Sequence, residues 1–185
     1  VAGGDSTAEG VQVGWAECER VEGDVLIGAD GLGGAVRKQV LADGAPQPTG
    51  HLAYRALVRQ TDLPLALRSQ QVTAWLGPRL HVVSYPVRAG EMLNVVVILH
   101  GEPPADMGDW DHAGLAADVQ AGLAGQCPAL LALIEAMPSW RLWALCERPL
   151  MHSADQMASG RVALLGDAAH PMRPYLAQGA GMAIE

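Results

Sequence analysis

Phenylalanine is absent from the 185 residues, while Leu, Val and Ala abound. That pattern reads as a compositional bias of the genome and carries no functional message. Cysteine is scarce: Cys18, Cys127 and Cys146 are an odd number without paired spacing, which supports neither a disulfide framework nor a zinc site. A reducing cytoplasm fits that usage. Positive charge is also in deficit, with 12 Lys and Arg against 20 Asp and Glu and a net charge of −8. Neither nucleic acid nor an anionic membrane surface would attract such a chain, so small molecules are the expected partners. No apolar run approaches the roughly twenty residues of a membrane span, and the start, VAGGDSTAEG, lacks the basic-then-apolar layout of an export signal. Internal repeats and low-complexity tracts are missing too. What remains is a globular chain, half of it apolar, long enough for one good core or for parts of two domains sharing one.

Val11 to Trp15 alternate as a strand, and Val21 to Asp24 lead into a wholly apolar one, Val25 to Ile27. Gly28-Ala29-Asp30-Gly31 breaks it, and Val36, Arg37, Val40 and Leu41 then follow at helical spacing. The prolines of Ala45 to Thr49 resist helix and sheet interiors and mark a connection, where a domain change is expected. Four strands follow, Leu52 to Arg59, Val72 to Leu76, Leu80 to Val87 and Met92 to Leu99, separated by turn signals such as Gly77-Pro78 and Ala89-Gly90-Glu91. They predict a largely antiparallel sheet. Leu115, Val119 and Leu123, then Leu130 and Ile134, recur at four-residue intervals and predict two amphipathic helices. Trp140 to Glu147 reads as a further strand returning toward the first domain. Trp75, Trp110, Trp140 and Trp143 are most simply packing residues.

The richest stretch is Gly160 to Glu185, GRVALLGDAAHPMRPYLAQGAGMAIE. Val162 to Leu165 form a short apolar run, as a strand buried on both faces requires, and Gly166 ends it. Asp167 then sits at the carboxyl end of that strand, where open α/β sheets place ligands. An ionised carboxylate only accepts hydrogen bonds, so it suits the hydroxyls of a sugar or ribityl chain. Ala168 and Ala169 are small enough for a large ring to approach. Gly179, Ala180 and Gly181 open a helix whose unpaired N–H groups favour negative charge. DVLIGADGLGGAVR repeats the theme, with Asp30 and glycines where a strand meets a helix. Its Gly31-Leu32-Gly33 is no dinucleotide fingerprint, because Val36 stands where the third glycine belongs. In the middle sheet, His81 and Tyr85 are four apart and line one wall, an imidazole and a phenol suited to binding or deprotonating a phenolic substrate. Arg55 and Arg59 share a face that either attracts a substrate carboxylate or meets solvent, and neither is assigned. His170 shapes the turn before Pro171 more readily than it transfers a proton.

The segment closing on Gly160 to Glu185 resembles the second flavin-contacting motif of the single-component FAD-dependent aromatic hydroxylases, the para-hydroxybenzoate hydroxylase-like flavoprotein monooxygenases. DVLIGADGLGGAVR resembles that family's Asp-Gly motif, with Gly34 in place of the usual serine. TGHLAYRALV and RLHVVSYPVRAGEMLNVVV are similar to salicylate hydroxylase-like members. The resemblance implies an α/β, α+β mixed fold: part of an FAD-binding Rossmann-like domain in residues 1–45 and 147–185, and an antiparallel-sheet substrate-binding domain with helices in 46–146. It implies hydroxylation of a small phenolic or benzoate-like ring with FAD, NADH or NADPH and O2, through a flavin C4a-hydroperoxide. The residues it implies for the cofactor are Asp30, Gly31, Arg37, Gly166, Asp167, Ala168, Gly179, Ala180 and Gly181. His81, Tyr85 and Pro174 are implied at the reacting centre, the proline through its backbone carbonyl. A cytoplasmic protein without nucleic-acid or membrane partners, possible as a homodimer, completes the expectation.

The family opens with a strand, a GxGxxG turn and an acidic residue, and none of these occurs here. An internal fragment is therefore expected, one that alone binds FAD weakly and hydroxylates nothing. Purified material carrying stoichiometric flavin with substrate-stimulated NAD(P)H oxidation would contradict this. Two other readings stand beside it: a flavin-dependent reductase or epoxidase of prenyl-type substrates, and a non-catalytic remnant or small-aromatic binding module.

Overall fold

The structure, a computed structural model, describes residues 3–6, 10–14, 20–106 and 112–184. Trp15, Cys18 and Trp110 lie outside the described residues. Two compact units emerge: Val1–Gln47 with Cys146–Glu185, and Pro48–Leu145.

In the first unit, strands β1 (Gly3–Ser6), β2 (Val11–Gly14) and β3 (Arg20–Gly23) form an antiparallel meander. Strand β4 (Leu26–Gly28) then runs into helix α1 (Ala35–Leu41). The second unit contributes β5 (Gln47–Arg59), β6 (Thr73–Gly77), β7 (Leu80–Val87), β8 (Met92–His100), β9 (His112–Gly114), helices α2 (Ala116–Gly122) and α3 (Pro128–Glu135), and β10 (Trp140–Glu147). The chain then completes the first unit with β11 (Ala158–Ser159), β12 (Val162–Leu164) and α4 (Gly179–Ile184).

The parallel pair β4–β12 joins residues more than 130 positions apart, with Val162 beside Leu26 and Leu164 beside Gly28. Helix α1 covers one face of this pair. A Cβ at Gly28 would fall 2.6 Å from Val36, so glycine is what lets the helix descend onto the strand. Val36, Val162, Leu164, Val11, Ala168 and Ala169 close the core there. The opposite face differs from expectation. Val25 is 60% exposed, Ile27 58% and Leu165 48%, so these runs are not buried on both faces. Among the described residues only the α1 side of the sheet is packed, and burial alternates as in any one-sided strand.

The second unit is one six-stranded sheet, ordered β6-β7-β8-β5-β10-β9. The β6–β7, β7–β8 and β5–β8 ladders are antiparallel, as the alternation predicts. One face carries Val82, Leu93, Val95, Val97, Tyr54 and Ala56, all buried. Helix α2 packs against this face so closely that a Cβ at Gly122 would meet Leu99 at 2.4 Å. Val119 and Leu123 are the buried positions of that helical stripe, while Leu115 precedes the helix and is 63% exposed. The segment expected as a connection is partly strand, since β5 begins at Gln47 and includes Pro48. Proline is tolerated because the β5–β8 ladder starts only at His51, so no hydrogen bond of that ladder is lost. No helix among the described residues is long and apolar enough to cross a membrane.

Candidate functional site

The β4–β12 register puts the carboxyl ends of both strands side by side, so the Asp30 and Asp167 turns leave the same end of one parallel pair. Leu165 N–H donates to the Gly28 carbonyl at 2.9 Å and fixes that end. Asp167 is exposed within a single 3-10 turn, Gly166–Ala168. Gly166 has φ +60°, and Gly31 has φ +74°, both in the region that favours glycine.

The glycines around these two turns differ in what surrounds them. Gly28 is demanded by packing against Val36 and Leu164, and at Gly34 a Cβ would sit 2.1 Å from the Asp30 carboxylate, which occupies that space. By contrast, a Cβ at Gly31, Gly33, Gly179 or Gly181 would meet nothing within 4 Å. Their bare backbone borders open space, which is the condition for a ligand to approach the main chain. Ala180, between two of them, is exposed as well.

Asp30 turns its carboxylate back to cap α1, Oδ2 accepting from Val36 N–H at 2.8 Å. The serine usual at position 34 would occupy the space that this carboxylate takes. Arg37 is 1% exposed and fully engaged. Its Nε and Nη2 donate to Asp43 Oδ2 at 2.9 and 2.6 Å, and Nη1 donates to the carbonyls of Ala168 and Ala169 at 2.8 and 3.1 Å. Arg37 therefore shapes the Asp167 turn from beneath rather than meeting a cofactor directly. Ala168, 0% exposed, likewise packs inward, so the expected ring approach over it is replaced by a structural part.

Sequence reasoning missed the residue that completes this arrangement. Arg148, 5% exposed, donates from Nε to the Leu32 carbonyl at 2.9 Å and from Nη1 to Asp43 Oδ1 at 3.1 Å. One carboxylate, Asp43, thus anchors the guanidinium under the Asp30 turn and the guanidinium under the Asp167 turn. Nothing in the local sequence of Arg148 announces this.

Pro174 is exposed and begins a 3-10 turn, Pro174–Leu176; its carbonyl already accepts from Ala177 N–H at 3.1 Å, leaving one lone pair. His170 closes the preceding turn through its backbone N–H to Gly166 at 2.9 Å. Arg173 pairs with Glu147 at the surface.

In the second unit, register places His81, Val83 and Tyr85 on the sheet face opposite the helices. Tyr85 stands directly across from Asn94, and Asn94 across from Leu57. That same face holds Arg55, whose Nε donates to Asn94 Oδ1 at 3.0 Å. Asn94 is 2% exposed, and its amide nitrogen is buried without a hydrogen-bond partner. An amide interrupting the apolar run Met92 to Leu99 was a signal visible in the sequence. His81 and Tyr85 lie roughly 13 Å apart along the strand. They cannot share one atom, but they can hold two ends of a ring-sized ligand.

The chain resembles known proteins along nearly its whole length. Over 164 residues it is 43% identical to the 3-hydroxybenzoate 6-hydroxylase of Polaromonas naphthalenivorans (strain CJ2), covering 89% of this chain and 40% of that protein. It is 40% identical over 169 residues to 3-hydroxybenzoate 6-hydroxylase 1 of Aquipseudomonas alcaligenes, with 89% and 41% covered. Its fold matches a salicylate hydroxylase substrate complex with TM-score 0.81 and 29% identity, over 98% of this chain and 48% of that one. Klebsiella pneumoniae HpxO complexed with FAD and uric acid matches equally, TM-score 0.81 and 29% identity, with 99% and 46% covered. The chain spans about 40% of the length of the curated relatives. With residues 4–185 matched by the family profile described as FAD binding domain, the chain belongs to that FAD-binding domain family.

Proposed function

We propose that the chain forms the flavin-contacting and substrate-binding parts of a monooxygenase that hydroxylates a small hydroxybenzoate-like acid. FAD would supply electron transfer from NADH or NADPH and the activation of O2. Asp167 accepts hydrogen bonds from the ribityl hydroxyls, and the open backbone at Gly31, Gly179, Ala180 and Gly181 receives the anionic parts of the cofactor. Asp30, Gly166, Ala168 and Arg37 hold those turns in shape. On the substrate side, His81 and Tyr85 hold two ends of the ring, one of them orienting the phenol and holding or moving its proton, while Arg55, steadied by Asn94, binds the carboxylate.

The observation that carries this reading is the in-register grouping of His81, Tyr85, Asn94 and Arg55 on the sheet face opposite the helices. Calorimetry with 3-hydroxybenzoate and with its uncharged amide tests it. Arg55→Gln should weaken binding of the acid about tenfold to a hundredfold, the value of a charge-assisted hydrogen bond, and leave the amide unchanged. Equal losses for both ligands, or none, would contradict it. Acid binding that is indifferent to FAD would favour a binding module over an enzyme.

A further inference from the structure

Asn94 is the one polar residue in the run Met92 to Leu99, and it is buried, at 2% exposure, on the sheet face that also carries Tyr85 and Arg55. Its Oδ1 accepts from Arg55 Nε at 3.0 Å. A guanidinium has donors only, so the atom turned to it must be the oxygen, and the orientation of the amide is fixed. The remaining nitrogen, Nδ2, is buried and has no hydrogen-bond partner. Leaving a buried N–H unpaired is costly, and such a group in a folded chain calls for an acceptor. We propose that Asn94 Nδ2 is itself a substrate-binding donor, aimed at an oxygen of the same carboxyl group that Arg55 attracts. This inference rests on the acid-binding reading above and extends it, because Asn94 then touches the ligand instead of only steadying Arg55.

The surroundings favour a ligand as that acceptor. Across its two ladders Asn94 stands opposite Leu57 and Tyr85, and along its own strand the same face continues in Met92 and Val96. Leu57, Met92 and Val96 have no side-chain oxygen to offer. Leu57 and Arg55 are exposed, while Tyr85, Met92 and Val96 are half-buried, so the donor lies just beneath a partly solvated surface and not in a sealed core. Arg55 can keep Nε on Asn94 and still present its two Nη groups to a carboxylate, to which Nδ2 adds a neutral donor. Two donors from adjacent strands on one carboxyl group fix its plane, and with it the attached ring. A carboxylate or a carboxamide fits, since each has a carbonyl oxygen. An ammonium has donors only, so it leaves Nδ2 unpaired and is repelled by Arg55. Discrimination of this kind is strong, because the wrong ligand leaves a buried polar group unsatisfied.

Calorimetric titrations of the full 185-residue chain with 3-hydroxybenzoate, 3-hydroxybenzamide and 3-methylphenol test this in the parent and in variants. Asn94→Leu should weaken both the acid and the amide about fivefold or more, the worth of one hydrogen bond. It should leave 3-methylphenol, which has no carbonyl oxygen, unchanged. Asn94→Asp keeps an acceptor for Arg55 but loses the donor, and should weaken the amide to the same degree, which guards against a folding defect in the leucine variant. The loss from Asn94→Leu should also persist in an Arg55→Gln background, as it must if the two residues touch the ligand separately. Amide binding untouched by Asn94→Leu, with an acid loss that vanishes once Arg55 is replaced, would overturn the inference and leave the acid-binding reading standing. An equal loss of 3-methylphenol would overturn it too, by showing a disturbance of the whole face. Failure of Arg55→Gln to separate the acid from the amide would sink the acid-binding reading, and this inference with it.

Discussion

Asp43 is the residue on which both candidate cofactor turns depend, because its two oxygens receive Arg37 and Arg148 separately. Removing its charge leaves two guanidiniums buried without a carboxylate. Asp43→Asn should cost about 3–5 kcal/mol in urea unfolding, the range for breaking a buried ion pair. Its sequence neighbours gave no hint of this pairing, since Arg148 lies 105 positions away. Arg37 was legible as important, but its burial was not. Gly34 makes a sharper case. Gly34→Ser should displace the Asp30 carboxylate from Val36 N–H while its own hydroxyl takes over the capping of α1, so the unfolding free energy in urea should stay within about 0.5 kcal/mol of the parent. Tyr54 offers a pH test. Burial first, and the Asp118 carboxylate second, hold its phenol above the ordinary 10.0. The folded chain keeps that proton longer than the unfolded one, so Tyr54's contribution is complete below pH 10 and is lost as pH rises through the folded value. In Tyr54→Phe, urea midpoints should fall less steeply above pH 10 than in the parent.

Elements whose patterns are long and regular were read directly from the sequence. β7 and β10 occupy the expected residues, and α3 follows the Leu130 and Ile134 spacing. Short partners such as β9 and β11 were not readable, because two or three residues carry no period and exist only through their neighbours. The apolar runs around β4 and β12 misled for a related reason: a run of that length cannot tell a strand covered on both faces from one covered on a single face. The β7–β8 turn carries a measurable strain. Arg88 and Ala89 both adopt positive φ, at 52° and 53°. Each such residue costs roughly 1–2 kcal/mol, part of which glycine's extra unfolded-state freedom offsets. Ala89→Gly should thus stabilise the hairpin by up to about 1 kcal/mol, read as a higher urea midpoint with an unchanged slope.

At the scale of the whole molecule, the chain builds half of one unit, completes a second, and returns to finish the first through the parallel β4–β12 pair. Family motifs made both cofactor turns legible, since Asp30 and Asp167 each follow a strand that ends in glycine. The sheet face opposite the helices was only half legible. His81 and Tyr85 follow from alternation along one strand, whereas Arg55 and Asn94 join them only once the β5–β8 register is known. The most direct test is an amide NMR titration of the labelled chain with 3-hydroxybenzoate and, separately, with FAD. The proposed hydroxylase requires the acid to shift the amides of Arg55, Tyr85 and Asn94, and FAD to shift those of Gly31, Asp167 and Gly179. Acid-induced shifts confined to the glycine turns, or no shifts on the β5–β7–β8 face, would contradict it.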